Sequence, residues 1–313
     1  PVQKTCSPHQ RSIMSLVVVG SFGIDTIETP FGRAEDVVGG SAVYFSLAAS
    51  LFSHVKLAGN IGSDFPQAPL QTLKKRGADL DGIQTFTDQA TFRWTGRYEG
   101  KMNEAETLRT ELNVLVEPPQ IPHTYIHAPY VFLANMGPST QLEALKTLQG
   151  HSVFADTMNL WIDTALADLQ QVLEKVDGLI LNDAEARALT GETHLILAGE
   201  ALLKMGPDTV IIKKGEHGAF LFTEALHFAL PAYPTSQVVD PTGAGDSFAG
   251  GFLGALAEMG ESTPENLRRA MAYGTVAASM TVEHFSTKGL EEATRSELDQ
   301  RFQKLRDFVQ FSS

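Results

Sequence analysis

Short apolar runs alternate with longer segments of helical periodicity along most of the chain. Runs such as Val210-Ile211-Ile212 are apolar at every position, which is typical of a strand in a sheet covered on both faces. This alternation predicts an α/β fold built on a mostly parallel sheet flanked by helices. The predicted strands are residues 16–19, 55–58, 130–133, 153–155, 178–181 and 210–212, with a hairpin at 219–222 and 226–229. The predicted helices are residues 42–52, 66–76, 139–148, 163–176, 184–189, 194–205, 244–259, 264–280 and 296–308.

Two segments, at about residues 24–33 and 83–117, break this rhythm. They show the polar alternation of strands, and no helix of convincing period separates them. We interpret them as a small β-rich lid, laid over one end of the main sheet and inserted in a single domain of residues 13–313. The lid carries aromatic side chains that either face a ligand or pack the lid onto the body, namely Phe92, Trp94 and Tyr98.

Composition narrows the class of protein. The chain has 24 Lys+Arg and 37 Asp+Glu, a formal net charge of −13, which argues against a broad surface for nucleic acid or anionic membrane. No apolar run approaches the ~18 residues that a membrane span requires. The single cysteine, Cys6, excludes a disulfide framework and fits a cytoplasmic location. Residues 1–12 are polar and lack the apolar stretch of a signal peptide, so we interpret them as a flexible leader.

The most specific chemical signal is the glycine-rich segment at residues 238–251. An apolar run ends at Asp240, Pro241 forces a turn, and small residues follow where a helix should begin. Free N–H groups at a helix start favour negative charge, and glycine lets a phosphate approach them closely. Asp246 adds a carboxylate that can take a proton from an attacking hydroxyl. The segment predicts a phosphoryl-transfer centre.

Two features near the amino terminus are candidates for substrate binding. Gly39 and Gly40 precede a helix of small residues, so they either admit a ligand to backbone N–H groups or simply start the helix with Ser41 as its cap. Asp25 follows the first strand, where open α/β sheets place their ligands, and a carboxylate accepts paired hydroxyls well. The alternative for Asp25 is a turn residue.

Two strand ends in the second half carry polar candidates. Asn182 and Glu185 fit a helix capping box, and their oxygen atoms also suit a hard cation that is bound through water. Lys213 and Lys214 precede a glycine turn, where either ammonium group can meet a phosphate or remain a solvated loop charge. The histidines show no metal-ligand spacing.

Taken together, these elements resemble the ribokinase-like, or PfkB, family of carbohydrate and nucleoside kinases. Gly39-Gly40 through Gly62-x-Asp64 is similar to the N-terminal signature of the family, and Asp240–Asp246 is similar to its C-terminal signature, with Pro241 where ribokinases usually have Thr. The resemblance implies a doubly wound sheet with a lid over the sugar site. It also implies ATP with Mg²⁺ as the phosphoryl donor and a primary hydroxyl group as the acceptor.

The resemblance also implies roles for individual residues. Asp246 aligns with the catalytic base, and Thr242, Gly243, Ala244 and Gly245 align with the anion hole that holds the transferring phosphate. Asn182 and Glu185 align with the pair that organises Mg²⁺ and its waters, and Asp240 with a monovalent-cation (K⁺) site that some members have. Asp25, Gly39 and Gly40 align with acceptor-binding positions, with Asp246 completing that set, and the strand-end turn of Lys213, Gly215 and Gly218 lies on the nucleotide side.

The acceptor and the assembly stay open. After Gly40 the chain has Ser41-Ala42-Val43-Tyr44 in place of the Lys-Gly-Ala-Asn of ribokinase, which removes a usual ribose contact. Aromatic lid residues can stack on a base, so a nucleoside is the alternative to a free sugar. A dinucleotide-dependent oxidoreductase would need a third glycine at the position of Phe248. A catalytically silent binding protein is a further alternative, and monomer and homodimer are both open.

Overall fold

The computed structural model describes residues 14–310, so the leader predicted at residues 1–12 lies outside it. The strands are β1 (Ser15–Val19), β2 (Gly23–Thr29), β3 (Gly32–Gly39), β4 (His54–Gly62), β5 (Asp79–Phe86), β6 (Phe92–Tyr98), β7 (Ala105–Glu111), β8 (Tyr130–Leu133), β9 (Ser152–Asp156), β10 (Gly178–Asn182), β11 (Thr209–Lys213), β12 (Ala219–Phe222) and β13 (His227–Leu230). The helices are α1 (Ser41–Ala49), α2 (Ala68–Lys75), α3 (Pro138–Thr147), α4 (Asn159–Thr164), α5 (Leu166–Leu173), α6 (Asp183–Thr190), α7 (Leu195–Leu203), α8 (Ala244–Met259), α9 (Pro264–Val282), α10 (Lys288–Glu292) and α11 (Arg295–Val309).

The larger sheet confirms the predicted doubly wound architecture. Its strand order is β13-β12-β11-β10-β9-β8-β1-β4-β5, and only the two pairs at the β13 end are antiparallel. Strand β1 lies between β4 and β8, so the chain turns in opposite directions on its two sides. Such a reversal opens a crevice at the carboxyl ends of the strands, where α/β proteins bind their ligands.

Helices cover both faces of this sheet. Leu16 and Val18 of β1 belong to a core shared with α1, α8 and α9, whereas Val17 and Val19 pack in a second core that includes α3 and α5. Because successive strand residues point to opposite faces, a strand between two helix layers must be apolar throughout. This explains the continuous apolar runs in the sequence.

The glycines in the second half of the glycine-rich segment, within α8, allow close helix packing. A Cβ on Gly250 would overlap the backbone of Phe45 in α1, and a Cβ on Gly251 would approach the Tyr273 carbonyl oxygen of α9 to 2.8 Å. These two glycines therefore let α8 lie close to both neighbouring helices. The first half of the segment, up to Asp246, remains at the sheet's carboxyl edge.

A separate four-stranded sheet, of order β3-β2-β6-β7, forms the lid. Its first part extends beyond the predicted bound, to the end of β3 at Gly39. The prediction that the second part begins at residue 83 is wrong, because residues 83–86 belong to β5 of the larger sheet, and residues 113–116 form a 3₁₀ helix. As an edge strand with one neighbour, β5 has the polar alternation that made it resemble the lid.

Two helix assignments also differ from the sequence pattern. The single helix predicted at residues 163–176 is the pair α4 and α5, separated at Ala165, whose φ of −141° is not helical. The short α10 was not predicted. Among residues 14–310, none of the helices combines the length and apolar composition that a bilayer crossing requires.

Candidate active site

The turn before α8 is held by the buried carboxylate of Asp240. One of its oxygens accepts a hydrogen bond from the Thr242 N–H (2.9 Å), and the other accepts one from the Ser286 N–H (3.0 Å). Gly243 then has a φ of +74°, which favours glycine, and a Cβ there would overlap the ring of Tyr44. Both the backbone conformation and the neighbouring ring therefore require glycine at this position.

The start of α8 has backbone N–H groups of the kind that can bind an anion. Gly245 and Asp246 are the second and third residues of the helix, where N–H groups have no intrahelical acceptor. Lys213, at the carboxyl end of β11, brings its Nζ so close that a Cβ on Gly245 would lie 2.8 Å from it. A phosphate here would meet free N–H groups, the positive end of the helix dipole and an ammonium group.

Asp246 also lies at the start of α8, and its carboxyl group is partly buried. Burial raises its pKa to about 7, the nearby Asp156 carboxylate adds to the rise, and the Lys213 ammonium group opposes it. A group with this pKa is about half ionised near pH 7. That balance suits a general base, because a base must hold a proton well and still be ionised in much of the enzyme.

Asp156 is a member of this cluster that the sequence analysis did not identify. It ends β9, is 5% exposed, and places Oδ2 3.6 Å from Nζ of Lys213. Burial alone would lower the pKa of Lys213, yet the surrounding carboxylates raise it. The only signal in the sequence was an acidic residue directly after the apolar run at residues 153–155.

Asn182 and Glu185 form a complete capping box at the start of α6. The Asn182 side chain accepts a hydrogen bond from the Glu185 N–H (2.8 Å), and the Glu185 carboxylate accepts one from the Asn182 N–H (2.7 Å). The structure thus confirms the capping interpretation. Burial and the charge of Asp156 nevertheless raise the pKa of Glu185 to about 7, so the cap also belongs electrostatically to the cluster around Lys213.

Within residues 14–310, no group of three or more His, Cys, Asp or Glu side chains is arranged to hold a metal ion. The capping hydrogen bond uses one carboxylate oxygen of Glu185. Its second oxygen and the remaining lone pair of the Asn182 amide oxygen are acceptors of the kind that bind the water shell of Mg²⁺. The donor set therefore fits a cation held mainly by phosphate oxygens and water.

Asp25 lies on β2 of the lid, within electrostatic range of Asp246. It is 4% exposed, and its Oδ1 has no hydrogen-bond partner within the described chain. A Cβ on Gly39 would overlap its carboxyl group, while Gly40 has a φ of +98°. Burial raises the pKa of Asp25 to about 8, and the carboxylates of Asp240 and Asp246 add to the rise. Gly39 thus makes room for a buried, incompletely bonded carboxyl group, whereas Gly40 lets the backbone pass close to Ser21 and Gly23.

Comparison with known proteins identifies the family. The sequence profile described as pfkB family carbohydrate kinase matches residues 15–293. The chain belongs to the pfkB family. It is therefore a phosphotransferase of a family of ATP-dependent kinases that act on sugars or nucleosides, and the oxidoreductase alternative does not hold.

Individual pfkB family relatives agree with this assignment. A cytidine kinase of Thermococcus kodakarensis is 31% identical over 247 residues, which cover 77% of this chain and 88% of that protein. The crystal structure of a Thermotoga maritima ribokinase shares the fold with a TM-score of 0.73 and 22% identity, over 93% of this chain and 99% of that one. An aminoimidazole riboside kinase of Salmonella enterica, complexed with aminoimidazole riboside and an ATP analogue, has a TM-score of 0.73 and 21% identity, over 92% and 99% of the two chains.

The N-terminal pfkB signature also fastens the lid to the body. Asp64 accepts hydrogen bonds from the N–H (2.8 Å) and hydroxyl (2.7 Å) of Thr91, and it pairs with Arg93 at 2.9 Å. Arg93 in turn contacts Asp36 of β3 at 2.6 Å. Asp64 therefore anchors the beginning of β6, a role that the sequence analysis did not assign.

The predicted nucleotide side borders a cavity of about 710 Å³. Asn182, Lys214 and Gly215 line it, together with lid residues such as Asn103. The Lys214 ammonium group lies 3.5 Å from the centre of the Phe220 ring, away from the carboxylate cluster. Gly218 does not line this cavity; its φ is +83° and a Cβ would overlap the Leu230 carbonyl, so the backbone itself explains this glycine.

Proposed function

We propose that the protein is a nucleoside kinase, which transfers the γ-phosphoryl group of Mg²⁺-ATP to the primary hydroxyl of the nucleoside ribose. The observation that carries the choice of acceptor is the pairing of Asp25 with Trp94. The two residues are register partners in the parallel pair β2 and β6, so their side chains lie on the same face of the lid. The charges of Asp240 and Asp246 act on Asp25, so this face of the lid lies within their electrostatic range.

Among Phe92, Trp94 and Tyr98, Trp94 is the register partner of Asp25, and it is partly buried against the cluster of Ile27, Tyr98 and Met102. Its indole lies over Gly96, where a Cβ would overlap the ring, and its Nε1 donates a hydrogen bond to Thr107 (3.2 Å). Tyr98, by contrast, is only 9% exposed and accepts a hydrogen bond from the Thr242 hydroxyl (3.2 Å). An indole that is fixed in the lid beside a diol-binding carboxylate suits a ligand with both a base and a ribose.

Similarity to kinases with ring-bearing acceptors supports this proposal. The Thermococcus relative is named a cytidine kinase, and the Salmonella structure contains an aminoimidazole riboside. Each has a heterocycle attached to ribose. A free-sugar kinase remains the competing proposal, because ribokinase is also a structural neighbour.

The chemistry follows from the positions of the groups around α8. Asp246 would take the proton of the acceptor hydroxyl as its oxygen attacks the γ-phosphorus, and the bond to the bridging oxygen would break to release ADP. The N–H groups of Gly245 and Asp246 and the ammonium of Lys213 would bind the transferring phosphoryl group, whose charge they offset. Mg²⁺, when bound through Asn182, Glu185 and water, supplies further neutralisation of the phosphates. Asp240 remains the predicted ligand of K⁺, since each of its oxygens has a lone pair beyond its N–H partner.

We expect nucleosides to be better acceptors than free sugars. Stacking on an aromatic ring contributes about 1–3 kcal/mol per base in single-stranded nucleic-acid sites, which corresponds to roughly 5- to 150-fold in kcat/KM. The measurement is kcat/KM for cytidine, adenosine and inosine against ribose, fructose and 2-keto-3-deoxygluconate. Trp94→Ala should remove most of the preference, whereas Phe31→Ala, at a lid aromatic that is 65% exposed, should not. A free sugar as the best substrate, with Trp94→Ala changing only stability, would establish a sugar kinase.

Glu185→Gln is expected to raise the Mg²⁺ concentration for half-maximal activity on the order of 10-fold. Glutamine can still accept the Asn182 N–H, but it no longer carries a charge for the cation's water shell. The matched control is Glu297→Gln, because Glu297 forms the capping box of α11 with Thr294 and lies outside the site. If both variants lose the same thermal stability and neither changes the Mg²⁺ titration, Glu185 acts only as a cap.

A further inference from the structure

Tyr44 of α1 has a buried hydroxyl group without a partner. The residue is 1% exposed, and its phenolic oxygen makes no hydrogen bond within the described chain. Buried polar side chains are nearly always hydrogen-bonded, and a lost partner costs stability. The Tyr44 hydroxyl is therefore expected to bind a partner that the described chain does not supply.

The surroundings of the hydroxyl indicate what that partner is. Burial raises the pKa of Tyr44 well above its usual range, and the carboxylates of Asp240, Asp25 and Asp246 add to the rise, so the phenol stays protonated and is a donor near them. Asp25 Oδ1 is likewise buried and unpartnered. A ligand hydroxyl can satisfy both groups, because it accepts from the phenol and donates to the carboxylate.

The ring of the same side chain supports the anion-binding turn. A Cβ on Gly243 would overlap the ring carbons Cγ, Cδ1 and Cδ2 of Tyr44, so the Gly243 Cα rests on the ring face. Gly243 is the residue that precedes α8 and sets the direction of its first N–H groups. One side chain thus touches the turn before α8 with its ring, and its buried hydroxyl has no hydrogen-bond partner within the described chain.

We propose that Tyr44 links the two halves of the reaction: its hydroxyl binds a hydroxyl group of the acceptor together with Asp25, and its ring fixes Gly243 for phosphate binding. The proposal rests on the kinase reaction and on Asp25 as an acceptor ligand, and it holds for a nucleoside or a free sugar. The hydroxyl makes Tyr44 a specificity-determining residue, and the ring makes it a positioning residue.

The first test is Tyr44→Phe, which removes the hydroxyl and keeps the ring. We expect the KM and the directly measured Kd of the best acceptor in the panel to rise about 2- to 13-fold, the range for loss of one ligand hydrogen bond. The KM for ATP and the kcat should change less than about 3-fold, and the melting temperature should not fall, since no bond within the protein is lost. Unchanged acceptor KM and Kd would overturn the assignment of the hydroxyl.

The matched control is Tyr125→Phe. Tyr125 is also fully buried, but its hydroxyl donates to Asp79 Oδ1 (2.7 Å) and accepts from the Gly82 N–H (3.3 Å) in the larger sheet. This variant should lower the melting temperature and leave the acceptor KM unchanged, the reverse of the pattern for Tyr44→Phe. The same pattern in both variants would show that Tyr44 is only a packing residue.

Tyr44→Leu tests the ring. Leucine fills part of the space but offers no flat face to Gly243, so kcat should fall at least about 10-fold below that of Tyr44→Phe, with ATP affinity measured separately. Equal kcat values for the two variants would overturn the positioning role. A panel in which a free sugar is the best acceptor would refute the nucleoside proposal alone, because the Tyr44 variants are compared on whichever acceptor the wild-type enzyme prefers.

Discussion

Asp246→Asn is expected to reduce kcat for phosphoryl transfer by about 10²- to 10⁴-fold, the range for loss of a general base. Asparagine keeps the shape of the side chain at the third position of α8 but cannot accept the proton of the acceptor hydroxyl. The helix N–H groups and Lys213 remain, so the affinity for ATP should be largely intact. The measurement is single-turnover transfer together with a direct titration of ATP binding. Turnover within a few-fold of the wild-type rate would remove Asp246 from the role of base.

The pH dependence gives an independent check on Asp246. With a pKa of about 7, the Asp246 carboxyl group becomes increasingly protonated as the pH falls below about 7, so kcat/KM should fall with it if Asp246 is the base. The folded-state pKa lies above the ordinary value of 3.8, so the native state loses stability as the pH rises between these two values. The asparagine side chain of the variant does not titrate. Asp246→Asn should therefore be at least as stable as the wild type at pH 8, and a lower melting temperature there would indicate a folding defect.

Lys213→Met is expected to have the second largest effect, a loss of kcat on the order of 10²- to 10³-fold, as for removal of one charge-stabilising donor. The change removes the positive charge beside Gly245 and leaves the Asp156 carboxylate without its partner. Because Lys213 lowers the pKa of Asp246, its loss should also move the acidic limb of the kcat/KM profile to higher pH. The pH profile thus separates Lys213 from a residue that only binds ATP.

Lys214→Met is the neighbouring comparison. Lys214 lies over the ring of Phe220 and borders the nucleotide-side cavity, so its loss can change the KM for ATP. Asp246 does not have Lys214 among the charges that shift its pKa, so the acidic limb should stay where it is. A similar shift of the acidic limb in both lysine variants would mean that the general charge of the region, and not contact with the carboxylate cluster, sets the pKa of Asp246.

The local features of the fold could be predicted from the sequence, because neighbouring residues determine them. Apolar runs indicated the strands of the larger sheet, and Pro241 with Gly243 indicated the turn that starts α8. The capping box of Asn182 and Glu185 could also be predicted from the sequence, because its hydrogen bonds join positions only three residues apart. The lid was predicted in outline, but β5 was assigned to it because an edge strand and a lid strand have the same polar alternation.

By itself, then, the sequence determined the mostly parallel α/β fold, the pfkB signatures and the glycine turn that starts α8 before Asp246, all of which depend on residues close together in the chain. Only the tertiary structure decided that Asp156 holds Lys213 beside Gly245, and that Tyr44 lies beneath Gly243. These contacts join segments separated by tens to hundreds of residues. A lone aspartate after a strand, or a tyrosine in an apolar helix, leaves no pattern in the sequence until folding brings its partner to it.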